Sequence, residues 1–205
     1  MLYYFILYIS LFFSFCLSSE IKTIDSLLGN NNFFSGSFIQ RTVYQEKERT
    51  VKGTIFANRK GMFRLVYEEP LNELLISDGI NLYRYDKDLE QVQIQSLKEL
   101  PKEIPINLLT LTPNKLNQFF SVDSCKTIRD KTNCRLYSIE EESYIKEIEM
   151  GTTNNLLRFL RYEDILGQIV SFQFTNISNK KLDKNLFTFS SPPGFDIIHY
   201  ESYKD

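Results

Sequence analysis

Cys125 and Cys134 are the residues of this 205-residue chain whose spacing most directly implies chemistry. They flank the polar, turn-rich stretch KTIRDKTN and lie symmetrically about Arg129 and Asp130, so a hairpin centred there sets them opposite one another. A cross-strand disulfide is the expectation, with two free thiols as the alternative. In an oxidising compartment the bond would stabilise the fold by about 2–3 kcal/mol. Two cysteines and one distant histidine, His199, do not make a metal-ligand set. His199 stands six residues from the end and reads as solvated rather than catalytic. The sequence contains no GxSxG elbow, phosphate loop or glycine-rich dinucleotide turn. Asp and Glu number 26, yet none is singled out as a pair in an apolar setting. Glu68-Glu69 and Glu140 to Glu142 read as solvated loop charge. A two-carboxylate hydrolase is the remaining enzymatic reading and is disfavoured. No catalytic residue, metal or cofactor is expected.

Composition narrows the class further. Hydrophobic residues make up 42% of the chain, enough for a core, and the net charge is −2 with a pI near 5.6. No basic cluster interleaves with aromatics, so nucleic acid is not an expected partner. Aromatics account for 14%, all Phe and Tyr, which suits strands or an apolar pocket. The opening stretch MLYYFILYISLFFSFCLS is uncharged and ends in small residues. Residues 1–18 therefore read as a signal peptide, with 19–205 as one mature domain and an uncleaved membrane anchor as the rival. Phe15 is too bulky to precede a lipidated Cys16.

The elements that would position any site follow from periodicity. Ile21, Ile24, Leu27 and Leu28 recur at helical spacing. Short alternating runs follow at 34–38, 51–57, 63–67, 74–76, 80–85 and 92–94, joined by Gly, Asn and Asp turns. Pro101, Pro105 and Pro113 break the apolar stretch that contains Ile106, Leu108 and Leu109 into short helical pieces. Strands resume at 119–123, 135–139, 144–150, 156–162 and 168–174, and a last one is expected to carry Phe187 and Phe189. About eleven strands in one antiparallel sheet must curl. The expected architecture is a mainly β, half-open barrel with the broken helical segment as its lid. Whether its inside is filled or hollow does not follow from the pattern.

Several segments, in order, resemble the outer-membrane lipoprotein carrier family, LolA. They are FSGSFIQ at 34–40, GTIFANRKGMFRLVYEEP at 53–70, SDGINLYRYDKDLEQV at 77–92, the middle stretch IPINLLTLTP, and FTFSSPPG near the end. The resemblance implies an incomplete eleven-stranded barrel whose helical lid covers a hydrophobic cavity. It implies a soluble periplasmic shuttle that receives acylated lipoproteins from an inner-membrane ABC transporter and delivers them to an outer-membrane receptor lipoprotein; a monomer is expected. The family's lid-latching arginine falls on Arg59, a neighbouring cavity aromatic on Phe63 and a cavity leucine on Leu75. Leu65, Ile106, Leu108 and Leu109 are further expected cavity residues. Alternation alone puts Leu75 on one strand face with Glu73 and Ser77. Two positions depart from the family pattern: Lys60 replaces a usual proline, which would loosen the loop, and Leu65 replaces a frequent tryptophan. A receptor lipoprotein would need a lipidated cysteine near the leader. A lipid- or glycolipid-binding sensor of the same fold remains the alternative.

Overall fold

Along the strand Lys47–Asn58, the inward positions Val51, Gly53, Ile55 and Ala57 are buried while their outward neighbours are more exposed. That period of two recurs through a sheet of twelve strands. The structure is a computed structural model, and it describes residues 24–28, 32–99 and 106–200. The leader expected at 1–18 lies outside the described residues. The strands are β1 (Phe33–Tyr44), β2 (Lys47–Asn58), β3 (Met62–Tyr67), β4 (Glu73–Asp78), β5 (Asn81–Asp86) and β6 (Gln91–Ser96), then β7 (Phe120–Ile128), β8 (Lys131–Ser138), β9 (Ile145–Thr153), β10 (Leu156–Asp164), β11 (Ile169–Ser178) and β12 (Asp196–Tyr200). Among the described residues, three short α-helices complete the frame: α1 (Ile24–Leu28), α2 (Asn107–Thr110) and α3 (Pro113–Leu116).

The sheet order is β12-β6-β5-β4-β3-β2-β1-β11-β10-β9-β8-β7. Each end strand has one partner, so the barrel is half-open as expected. Consecutive strands β6 and β7 lie far apart in this order, and the segment joining them carries α2 and α3. The seam between the two halves is β1 against β11, with Phe38 opposite Phe174 and Gln40 opposite Phe172.

The last expected strand is corrected. Lys184–Phe187 is a turn of 3-10 helix and Phe189 belongs to no strand. The closing strand is β12 instead, and it pairs with β6 in parallel, whereas every other pairing is antiparallel. The physical reason is that the segment before β12 crosses the outer face of the sheet. Phe187 is buried there, Phe189 stacks on Tyr83, and Phe195 packs on Tyr85. Ile76 lies opposite Tyr83, and Leu74 opposite Tyr85, so the strap covers the outward residues of β4 and β5.

The main core is on the inner face. Helices α1 and α3 touch one another, and Ile24, Leu27 and Leu116 are almost fully buried with Leu136, Ile148 and Met150 of the sheet. Gly53 matters here because a Cβ would meet the Phe38 ring at 2.7 Å and the Val66 carbonyl oxygen at 2.2 Å. Its bare backbone lets Phe38 lie across β2.

Candidate functional site

The inner core does not fill the barrel. A cavity of about 680 Å³ remains between the wall of β2 to β5, the opposing strands β10 and β11, and the segment carrying α2 and α3. Its walls are mostly apolar because inward positions of adjacent strands align. Phe63 lies opposite Ala57, Leu65 opposite Ile55 and Leu75 opposite Leu65. Phe172 and Phe174 stack with nearly parallel rings on the far wall.

Of the residues expected from sequence, Arg59, Phe63, Leu65, Leu75, Ile106 and Leu109 all line this cavity. Leu108 falls in α2, but its side chain lies outside the described residues. Leu75 does share the inward face with Glu73 and Ser77, and both polar groups are partnered. Glu73 accepts from Arg84 Nε at 3.1 Å and from Nη2 at 2.6 Å. The Ser77 hydroxyl donates to the Gly61 carbonyl at 2.8 Å. An inward polar residue is thus compatible with an apolar wall once its hydrogen bonds close locally.

The β2–β3 turn is the junction between sheet and lid. Arg59 Nη1 donates to the carbonyl oxygen of Leu111 at 2.8 Å, and its amide donates to the Asn32 carbonyl at 3.0 Å. The Gly61 amide donates to the Thr110 carbonyl at 3.1 Å. The turn therefore meets the end of α2 twice, once by side chain and once by backbone. Carbonyls at a helix end lack intrahelical partners, which makes them good acceptors for a guanidinium. The loosening expected from Lys60 is offset locally. The Lys60 amide donates to Asn58 Oδ1 at 2.8 Å, a bond that proline could not make.

Cys125 and Cys134 face each other across β7 and β8 and are joined by a disulfide. Cys134 is buried in the inner core, so the bond fastens the end strand β7 from inside.

Sequence reasoning missed a polar end to the cavity. Tyr67 donates its hydroxyl to Gln40 Oε1 at 3.1 Å, and Tyr162 lines the same end. Burial pushes the Tyr67 phenol up to about 12; the Glu73 carboxylate adds to the rise and Arg84 opposes it. Burial also raises Tyr162. The signal available in sequence was Tyr67 continuing the inward series of Phe63 and Leu65, but nothing there showed its partner 27 residues away.

Comparison with known proteins fits this geometry. The family profile described as "Outer membrane lipoprotein carrier protein LolA" matches residues 30–190. An outer-membrane lipoprotein carrier protein of Nitrosospira multiformis is 28% identical over 196 residues, covering 94% of each chain. Another from Hahella chejuensis is 29% identical over 185 residues, covering 88% of each. Among solved structures, an uncharacterized conserved protein from Thermus thermophilus superposes with a TM-score of 0.54 at 7% identity, covering 86% of this chain and 94% of that one. That likeness concerns the fold alone. The profile spans most of the chain, and the protein belongs to the outer membrane lipoprotein carrier protein LolA family.

Proposed function

We propose that this protein is a periplasmic chaperone that holds the acyl chains of outer-membrane lipoproteins in its cavity while they cross water. The observation that carries the reading is a largely apolar cavity of about 680 Å³ beneath a lid that one arginine fastens to the barrel. The chain would be exported with its 1–18 leader removed and act as a monomer. It would take cargo from an inner-membrane ABC transporter and pass it to an outer-membrane receptor lipoprotein. In this reading Phe63, Leu65, Leu75, Ile106, Leu108 and Leu109 contact acyl chains, and Arg59 latches the lid.

The energetics suit a carrier. Burying a methylene is worth about 0.8 kcal/mol, so exposing an acyl chain of about sixteen carbons costs on the order of 12 kcal/mol. A carrier must offset most of that and still release. A Phe- and Leu-lined wall binds without strict shape demands. The charge-assisted hydrogen bond from Arg59 to the Leu111 carbonyl is worth about 1.5–3 kcal/mol and is small beside the cargo term. At roughly 30 Å³ per methylene, taken as the volume share of a water molecule, the cavity holds about twenty methylenes. That is room for at least one chain of a triacylated cargo.

The test is transfer of a radiolabelled lipoprotein from spheroplasts to the purified soluble protein and then to outer membranes. Release into the soluble fraction followed by delivery is the expected result. Cargo that stays with the spheroplasts while the protein is folded would overturn the reading.

A further inference from the structure

The cavity is apolar inside, but the charged residues described in its lining share one sign. Among the described residues that line it, Arg59, Lys60, Lys98 and Lys115 are cationic and none is Asp or Glu. The whole chain carries a net charge of −2, so this is a local reversal of the average. The cations come from three separate places: the β2–β3 turn, the 3-10 turn after β6, and α3. Lys60, Lys98 and Lys115 are exposed, a setting that lets apolar stems follow the wall while ammonium groups stay in water. The carboxylate of Asp78, close by in sequence, is engaged elsewhere. Its oxygens accept from the amides of Ile80 and Asn81 and from the Tyr83 hydroxyl on the outer face.

We propose that the latched cavity binds a single-chain anionic lipid, its tail against the Phe63 wall and its carboxylate or phosphate among Lys60, Lys98 and Lys115. The inference rests on reading the cavity as a lipid site and adds the headgroup class. The volume takes a single chain, since about twenty methylenes fit at roughly 30 Å³ each. Charge selects the headgroup. Cations around an apolar opening raise the local concentration of anionic amphiphiles and hold the head at the water boundary, with an attraction that salt screens. A neutral amphiphile would gain only the tail term. Lipoprotein cargo and such a lipid would then compete for one cavity, so a lipid-filled protein is a resting form that cargo must displace.

The experiment loads the full mature protein with uncharged phenylnaphthylamine and displaces it with amphiphiles of one chain length. These are palmitate, palmitoyl-lysophosphatidylglycerol, palmitoyl-lysophosphatidylcholine and hexadecanol. At low ionic strength both anions should displace the probe at concentrations about tenfold lower than the zwitterion or the alcohol, and salt should erase most of the difference. Preference for palmitate alone or for the lysophospholipid alone would still support the site and would identify its source of negative charge. The triple variant Lys60→Glu, Lys98→Glu and Lys115→Glu should reverse the ratio of anion to alcohol potency. If that variant fails to fold, the salt series on the unmutated protein decides. Equal potency of all four amphiphiles, independent of salt, would overturn the proposal and leave the lipid cavity standing. Failure of every amphiphile, hexadecanol included, would overturn the lipid-cavity reading as well.

Discussion

Arg59 reaches from the β2–β3 turn to the carbonyl oxygen of Leu111, 52 residues further along the chain, and bonds it at 2.8 Å. This contact ties the sheet to the segment that covers the cavity. Because the acceptor is a backbone carbonyl, changes at Leu111 itself leave the bond in place.

Arg59→Leu should slow cargo transfer at loading or at release while stability falls by no more than the about 1.5–3 kcal/mol of the lost bond. Arg59→Lys should rescue poorly, because a compact ammonium lacks the reach and fork geometry of a guanidinium. Two-step transfer measured alongside urea unfolding checks both. Normal rates at both steps would mean that the bond is structural only.

Phe63→Ala should enlarge the cavity and destabilise the fold by about 3 kcal/mol, near the lower end for losing a buried phenyl. The lower end applies because the ring already borders empty space. Denaturant unfolding measures the loss. Titration with a bulkier fluorescent amphiphile should show tighter binding in the variant; unchanged affinity would place Phe63 outside the binding wall.

Reduction of Cys125–Cys134 should lower stability by about 2–3 kcal/mol and free the end strand β7 before the rest of the sheet. Hydrogen exchange with and without reductant would show early loss of protection at 120–128. Uniform loss across all strands would contradict a local role.

Alkaline pH should destabilise the protein through Tyr67. Its phenol sits at about 12 in the fold against 10.0 ordinarily. Between those values the unfolded chain releases a proton that the folded chain retains, so stability falls as pH rises. The contribution is fully present below pH 10 and is lost through pH 12, amounting to at most about 3 kcal/mol. Tyr162 shifts in the same direction and adds to the slope. Tyr67→Phe should be less stable near neutrality by about 1 kcal/mol, through the lost bond to Gln40, yet show a flatter decline above pH 10. Equal slopes for variant and parent would exclude Tyr67 as the cause.

Much of the inner sheet was legible because its strands have one dry face and one wetter face. Val170, Phe172 and Phe174 alternate with Ile169, Ser171 and Gln173, and the first set points inward. The hairpin symmetry of Cys125 and Cys134 was readable for a related reason, since a short turn fixes register locally. Alternation lost its meaning where both faces are covered. On β4, Leu74 and Ile76 are buried under the outer strap while Leu75 borders the cavity, so apolar residues run consecutively. The strap itself misled: Phe187 and Phe189 keep strand spacing although they pack on a sheet rather than within one. β12 has no alternation to read, being exposed along its length, and its parallel partner β6 lies about a hundred residues earlier. The grouping of Lys60, Lys98 and Lys115 around one cavity was hidden because it arises only through tertiary structure.

The β1–β11 seam also dictates the order in which the chain can be completed. Ser35 hydrogen-bonds Ser178 across 143 residues of sequence, whereas the other edge of β1 finds β2 after a two-residue turn. At a synthesis rate of roughly 5–20 residues per second, the far edge of β1 waits on the order of ten seconds for its partner. During that interval the nascent chain presents an open strand edge beside the bare rings of Phe34 and Phe38, the combination most prone to pairing with another chain. Successful biogenesis therefore depends on keeping the far edge of β1 from pairing with other chains until the last third has been made. Refolding yields should fall steeply with protein concentration for the same reason.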